Sequence, residues 1–302
     1  MKKNILIAGG TGFIGQNLVK RCIRNKLDIT ILSTSIKKVK FKNLKLIKCD
    51  ISKKKELSKK LNNKRFDYVV NLAGYVDHSK KIKTTKSHYN GCKNLTNYFK
   101  GKQIKKFIQI GSSVEYGKIK SPQIENKTTS EKKLKSYYGL AKLKSTNYLL
   151  NLNKKNFFPF TILRFFLVYG PGQLDNRLIP YVILNCLKNN YFKNSKGIQL
   201  RDFLFIDDAV DSIMKCLTNI ESNGQIINIC SGKPVKIKTI IIKINRIIKK
   251  GIPLFGKIKL RPDEPLNLYS NYLKAKKFLN WKPKVSLNDG LNRTIKHYEK
   301  TF

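Results

Sequence analysis

Tyr138 and Lys142, in Tyr138-Gly139-Leu140-Ala141-Lys142, are the pair in this sequence best suited to moving a proton. At i and i+4 of a helix they share one face, with Cβ atoms about 5–6 Å apart. An ammonium beside a phenol favours the tyrosinate, which brings proton exchange toward working pH. Tyr138 can then trade a proton with a hydroxyl while the carbon bearing that hydroxyl gains or loses hydrogen. Ser112 follows an apolar run of strand length and opens Ser112-Ser113-Val114-Glu115-Tyr116-Gly117, where its hydroxyl is expected to bind the same oxygen. In a chain this rich in Lys and Tyr, the spacing alone equally describes a surface pair, so the surrounding elements must carry the assignment.

The strongest of those elements is Ile5-Leu6-Ile7-Ala8-Gly9-Gly10-Thr11-Gly12-Phe13-Ile14-Gly15. Its apolar run ends at Gly9, and from Phe13 apolar residues recur at helical spacing, which predicts strand, tight turn and helix in order. This is the pattern of a dinucleotide cradle formed by Gly9, Gly10, Thr11, Gly12, Phe13, Ile14 and Gly15. Gly10 is expected to permit the sharp turn, Gly12 to admit a pyrophosphate close to the backbone, and Gly15 to let the helix lie on the strand. The amides and positive dipole end of that helix would face the phosphates. With such a cradle, proton exchange at Tyr138 accompanies hydride transfer to or from a nicotinamide, whose ribose Lys142 would also hold.

A second strand, Asp28 to Leu32, ends at Ser33. Ligands of parallel sheets sit outside the carboxyl ends of the strands, where a carboxylate would hold the adenosine ribose of NAD. Asp28 lies at the opposite end, roughly 16 Å away at ~3.3 Å per residue. Ser33, with Lys37 and Lys38 following, suits a 2′-phosphate, so NADP(H) is favoured within NAD(P), although a plain polar turn beside NAD fits the same residues. Further strands are expected at Leu44 to Ile47, before Cys49-Asp50-Ile51; at Asp67 to Leu72, before Ala73-Gly74; and at Lys105 to Ile110. Helices are expected over Lys53 to Leu61 and Thr85 to Lys100. The alternation predicts a Rossmann-like, doubly wound parallel α/β sheet over residues 1–165. Residues 166–302, with shorter helices and Pro/Gly-rich loops from Leu178, read as a smaller α/β substrate-binding domain, some segments of which return to the first.

The chain has 302 residues, 41% of them hydrophobic, which is enough for a sizeable core without staples. Its six cysteines are scattered without a Cys-x-x-Cys pair, so they read as buried thiols of a cytoplasmic protein, and no metal is expected. The apolar run after Met1-Lys2-Lys3 is cut short by Gly9-Gly10 and does not read as a leader. Phe157 to Val168 is too short to span a bilayer, so no membrane partner is expected. The net charge of +45 would ordinarily suggest nucleic acid. Here the cations are mostly Lys, spread over every segment and not interleaved with aromatics, which argues against a dedicated nucleic-acid surface. The rival class, a non-catalytic dinucleotide-binding protein holding RNA, predicts no turnover and steeply salt-dependent binding.

Taken together, these stretches resemble the extended short-chain dehydrogenase/reductases of the NAD-dependent epimerase/dehydratase family, which act on nucleotide sugars. The likeness also rests on Leu163-Arg164-Phe165-Phe166-Leu167-Val168-Tyr169-Gly170-Pro171-Gly172, Arg201-Asp202-Phe203-Leu204-Phe205-Ile206-Asp207-Asp208, Arg261-Pro262-Asp263-Glu264-Pro265 and Leu279-Asn280-Trp281-Lys282-Pro283. It implies a catalytic triad of Ser112, Tyr138 and Lys142, an adenine contact at Asp50 and Ile51, and a cofactor edge at Leu72, Ala73 and Gly74. It implies diphosphate-binding arginines at Arg201 and Arg261, and sugar-nucleotide contacts at Ser113, Asn176 and Arg177. It also implies a homodimer built on the helices near Thr85 to Lys100 and Tyr138 to Leu152. Dehydratases of the family carry an acid where this chain has Ser113 and Val114, so Glu115 reads as structural. Leu167 and Phe205 stand where relatives commonly have Asn and His. The reaction implied is hydride transfer at C4 of a nucleoside-diphosphate hexose, by a 4-epimerase or a 4-keto-sugar reductase.

Overall fold

A computed structural model describes residues 2–35, 44–75, 77, 80–127, 129–155, 157–260 and 264–302. The first half runs β1 (Asn4–Ala8), α1 (Phe13–Arg24), β2 (Asp28–Ser33), β3 (Lys45–Lys48), α2 (Lys54–Leu61), β4 (Tyr68–Asn71), α3 (Lys81–Thr85), α4 (Gly91–Phe99), β5 (Lys106–Ser112), α5 (Tyr137–Lys155) and β6 (Phe160–Phe165). The second runs β7 (Leu167–Tyr169), α6 (Leu178–Leu187), β8 (Tyr191–Lys193), β9 (Leu200–Phe205), α7 (Ile206–Thr218), β10 (Gln225–Ile229), β11 (Pro234–Lys236), α8 (Ile237–Ile248), β12 (Ile252–Leu254), β13 (Asn267–Leu268), α9 (Leu273–Leu279) and α10 (Leu287–Thr301). Lys37, Lys38 and Arg261 lie outside the described residues.

The main sheet has seven strands in the order β10-β6-β5-β4-β1-β2-β3, every neighbouring pair parallel. Its strands are apolar on both faces because both faces are covered. Ile5, Ile7, Ile31 and Val70 face a core shared with α1, α6, α7 and α10, while Leu6, Ala8, Leu32 and Val69 face one shared with α2, α4 and α5. From β1 the chain winds outward through β2 and β3, then returns to β4 and winds the other way. That reversal opens a crevice above the carboxyl ends of β1 and β4, where the glycine loop lies. The Rossmann-like reading therefore holds.

β10, well beyond residue 165, returns to complete this sheet. The remaining strands form a smaller unit in which β9 pairs with β7 and β13 in parallel and with β11 antiparallel, alongside a β8–β12 pair. Two buried carboxylates tie it together. Asp202 accepts from the amides of Ser231 and Gly232, at 2.6 and 2.8 Å, and Asp208 from those of Lys284 and Val285, at 3.0 and 2.9 Å. Burial raises both carboxyls above their ordinary range, outweighing the opposite pull of the four amides.

The helices of this half are longer than expected: α7 and α10 have 13 and 15 residues. The apolar residues of α4 and α5, among them Cys92, Leu95, Phe99 and Leu149, pack into the core. The outer face of these helices bears Lys93, Asn97 and Asn151, all exposed. Among the described residues no helix is long and apolar enough to cross a membrane, and no cluster of His, Cys, Asp and Glu could hold a metal.

Candidate active site

The glycine turn is built differently from expectation in one respect. The left-handed residue is Gly9, with φ of +81°, and a Cβ there would meet the Ala73 backbone at 2.8 Å. Gly10 lacks a positive φ; its constraint is the Ile31 side chain, 2.8 Å from where its Cβ would be. At Gly15 a Cβ would come 2.3 Å from the Gly9 carbonyl, so this glycine does set how closely α1 approaches the loop. Gly12 caps α1 without a side-chain hydrogen bond, leaving the first-turn amides of Phe13, Ile14 and Gly15 directed at the crevice. A cradle lined by backbone amides and small residues fits a pyrophosphate.

Replacing Gly15 by Ala is expected to push α1 off the loop. Dinucleotide affinity should fall at least about tenfold, with a loss of roughly 1–3 kcal/mol in stability. Fluorescence titration and thermal unfolding read the two effects.

Beside this loop, Ser33 is buried and its hydroxyl lies 2.8 Å from that of Thr11 and 2.9 Å from the Ser35 carbonyl, to which it donates. Ser33 thus ties the end of β2 to the cradle, and the exposed residues bearing hydroxyls there are Thr34 and Ser35. Asp28 sits at the opposite end, 3.6 Å from Lys45. Asp50 turns the chain after β3 by accepting from the Ser52 amide at 2.9 Å, while Asn94 of α4 holds the Ile51 carbonyl at 3.0 Å. Leu72 donates to Ala8 at 2.9 Å, so Leu72, Ala73 and Gly74 border the same crevice.

Tyr138 lies in the first turn of α5, half-buried, with Lys142 buried one turn later. The Lys142 ammonium donates to the Ile110 carbonyl at 2.6 Å and stands 5.8 Å from the Tyr138 ring centre. The helix start abuts the end of β5, since a Cβ on Gly139 would be 3.0 Å from the Val114 carbonyl. Ser112 ends β5 and caps a short 3-10 turn, Ser113–Tyr116; its Oγ lies 3.5 Å from the Val114 amide, and its own amide donates to Glu115 at 2.7 Å. Tyr138, Lys142 and the strand carrying Ser112 thus meet at one sheet edge. The neighbouring phenol of Tyr116 is not an alternative acid or base, because burial pushes it up to about 12 and it donates to Asn228.

Of the residues expected at the substrate, Ser113 is buried at the start of the 3-10 turn, whereas Asn176 is exposed and Arg177 stands at the N-cap of α6. Arg201 is also buried, and burial lowers its guanidinium below the usual Arg range. It donates to Glu264 at 2.7 Å and to the carbonyls of Leu200 and Leu266 at 2.9 and 3.2 Å. Leu167 is exposed at the sheet edge, while Phe205 is buried against Tyr169 with the Arg293 guanidinium 4.4 Å from its ring.

Sequence reasoning passed over His88. It lies in a π-helical turn, Lys86–Asn90, inside what the periodicity predicts as one helix, and its buried imidazole packs against Tyr138. Widened turns of this kind recur at functional sites, but nothing in the sequence marks one.

The model of a family described as the NAD dependent epimerase/dehydratase family matches residues 5–230. A UDP-N-acetyl-alpha-D-glucosaminuronate decarboxylase of Bacillus cytotoxicus is 27% identical, covering 99% of this chain and 98% of that protein. A dTDP-D-glucose 4,6-dehydratase of Mus musculus is 26% identical over 99% of this chain and 90% of its own length. Among solved structures, UDP-glucuronic acid 4-epimerase from Bacillus cereus, in complex with UDP-glucuronic acid and NAD, superposes with a TM-score of 0.87 at 26% identity, covering 99% and 100% of the two chains.

Proposed function

Because this chain belongs to the NAD dependent epimerase/dehydratase family, we propose that it is an NAD(P)-dependent enzyme acting at C4 of a nucleoside-diphosphate hexose. The observation that carries the reading is the placement of Tyr138 and Lys142 one turn apart at the carboxyl edge of β5, beside the glycine cradle. The bound dinucleotide would be held by the loop from Gly9 to Gly15, by Ser33, Asp50 and Ile51, and by Leu72, Ala73 and Gly74, and it would supply hydride chemistry. Tyr138 exchanges a proton at the C4 oxygen. Lys142 supplies positive charge beside that phenol, and Ser112 donates to the same oxygen as charge develops there. Arg201, freed in part from Glu264, and Arg261 suit the diphosphate, since a guanidinium fork grips phosphate oxygens in pairs.

The crevice edge at the end of β2 presents hydroxyls and, among the described residues, no carboxylate, which supports NADP(H) and with it the 4-keto reductase over the epimerase. The comparisons lend nothing to the RNA-holding alternative. A panel of nucleotide sugars and their 4-keto derivatives, each with NADH and NADPH, tests the reading. Net NADPH consumption with a 4-keto sugar is the expected result. Exchange of C4 isomers without net cofactor change would select the epimerase, and absence of turnover across the panel would overturn the proposal.

A further inference from the structure

We propose that His88 is a positioning residue for Tyr138, its imidazole acting as the wall that fixes where the phenol is presented. The inference rests on the reading of Tyr138 as the group that exchanges the proton. Four contacts define the wall. The His88 and Tyr138 ring centres are 5.0 Å apart at 70°, an edge-to-face pair within the favoured range. His88 Nε2 is 3.3 Å from the Tyr75 carbonyl, which sets the ring's orientation. Gly74 underlies the ring so closely that a Cβ there would be 1.8 Å from His88 Cε1. The His88 carbonyl accepts from Ser145 at 3.2 Å, seven residues along α5 from Tyr138 and on the same side of the helix. The imidazole is 6% exposed, so it is wedged between the cofactor edge at Gly74 and the helix carrying the phenol.

This arrangement accounts for the π turn. A regular helix from Lys81 to Phe99 would rotate residue 88 away from one of these two neighbours, and the widened turn lets its ring reach Gly74 while its carbonyl reaches α5. A half-buried tyrosine in the first turn of a helix has several rotamers open to it, and a ring packed on its face removes those that turn the hydroxyl from the substrate.

The test compares His88→Ala, His88→Gln and His88→Phe in the full chain. For His88→Ala, kcat is expected to fall about ten- to a hundredfold, with KM for both substrates and the Kd for dinucleotide within about threefold. His88→Gln, close in volume but without a ring, should behave alike and carries the test if the alanine variant unfolds. His88→Phe should recover most of the loss. In the free protein, the Tyr138 signal of carbon-13-tyrosine NMR, identified by its absence in Tyr138→Phe, should shift and broaden in the Ala and Gln variants. Wild-type kcat within threefold in a folded Ala or Gln variant, an unchanged Tyr138 signal, or Phe no better than Gln would overturn the proposal. Failure of the underlying reading is separately visible, because Tyr138→Phe would then keep its activity whatever is done at residue 88.

Discussion

Tyr138→Phe should lower turnover by about a thousandfold, within the ~10²–10⁴ that a positioned general acid or base contributes, and leave dinucleotide affinity within about threefold. Only the phenolic oxygen is removed. Lys142 keeps its bond to the Ile110 carbonyl, 2.6 Å long, and the loop from Gly9 to Gly15 that would hold the phosphates is untouched. The ring keeps its packing on His88, so unfolding should shift little. Two neighbouring tyrosines are not suited to the task. Tyr116 is locked in the core with its phenol raised to about 12, and the Tyr137 side chain is directed outward, 43% exposed. Initial rates from nicotinamide absorbance and a binding titration with the same preparation separate the two effects. Activity within tenfold of wild type would end the assignment of Tyr138.

What could be read from the sequence is what depends on neighbours in the chain. Ile5 to Gly15 spells out strand, turn and helix because a continuous apolar run gives way to helical spacing across three glycines, and Tyr138 and Lys142 meet because four residues make about one turn. What could not be read depends on contacts between distant segments. The left-handed residue of the glycine loop is Gly9 and not Gly10, and the groups that leave no room for a side chain at the two positions, Ala73 and Ile31, are remote in sequence. Phe205, which stands where relatives commonly have His, is buried against Tyr169 with the Arg293 guanidinium over its ring. Asp202 and Asp208 look like surface acids until the amides they hold, 29 and 76 residues downstream, are seen to need acceptors. His88 lacked any local signature, since its role depends on a glycine 14 residues earlier and a tyrosine 50 residues later.

Glu115 is where the structural reading of an acid near the catalytic groups can be set most sharply against a chemical one, since a dTDP-D-glucose 4,6-dehydratase is among the relatives. In an extended segment the Glu115 side chain would point to the opposite face from Val114. The segment is instead a 3-10 turn, and that turn carries the carboxylate down into the core, where it is 1% exposed. One oxygen accepts from the Ser112 amide at 2.7 Å, and the other from Thr146 at 2.7 Å and from Arg164 Nε at 3.0 Å. Arg164 is fully buried with its guanidinium 4.6 Å from the Tyr116 ring centre. Glu115→Ala would strand that cation, so a loss of about 3–5 kcal/mol is expected, lowering the unfolding midpoint by roughly 5–15 °C. Glu115→Gln should lose nearly as much, since an amide carries no charge and its NH2 cannot accept from the donors that both carboxylate oxygens now face. Glu115→Leu combined with Arg164→Met should recover part of the loss, because both charges then leave the core together. A catalytic acid predicts the reverse pattern, in which Glu115→Gln unfolds like wild type but turns over at least a hundredfold more slowly. Thermal unfolding of the three variants decides between them. The Ser112 amide bond gives the structural outcome a functional consequence, because the carboxylate that neutralises Arg164 also fixes the strand end from which the Ser112 hydroxyl is presented.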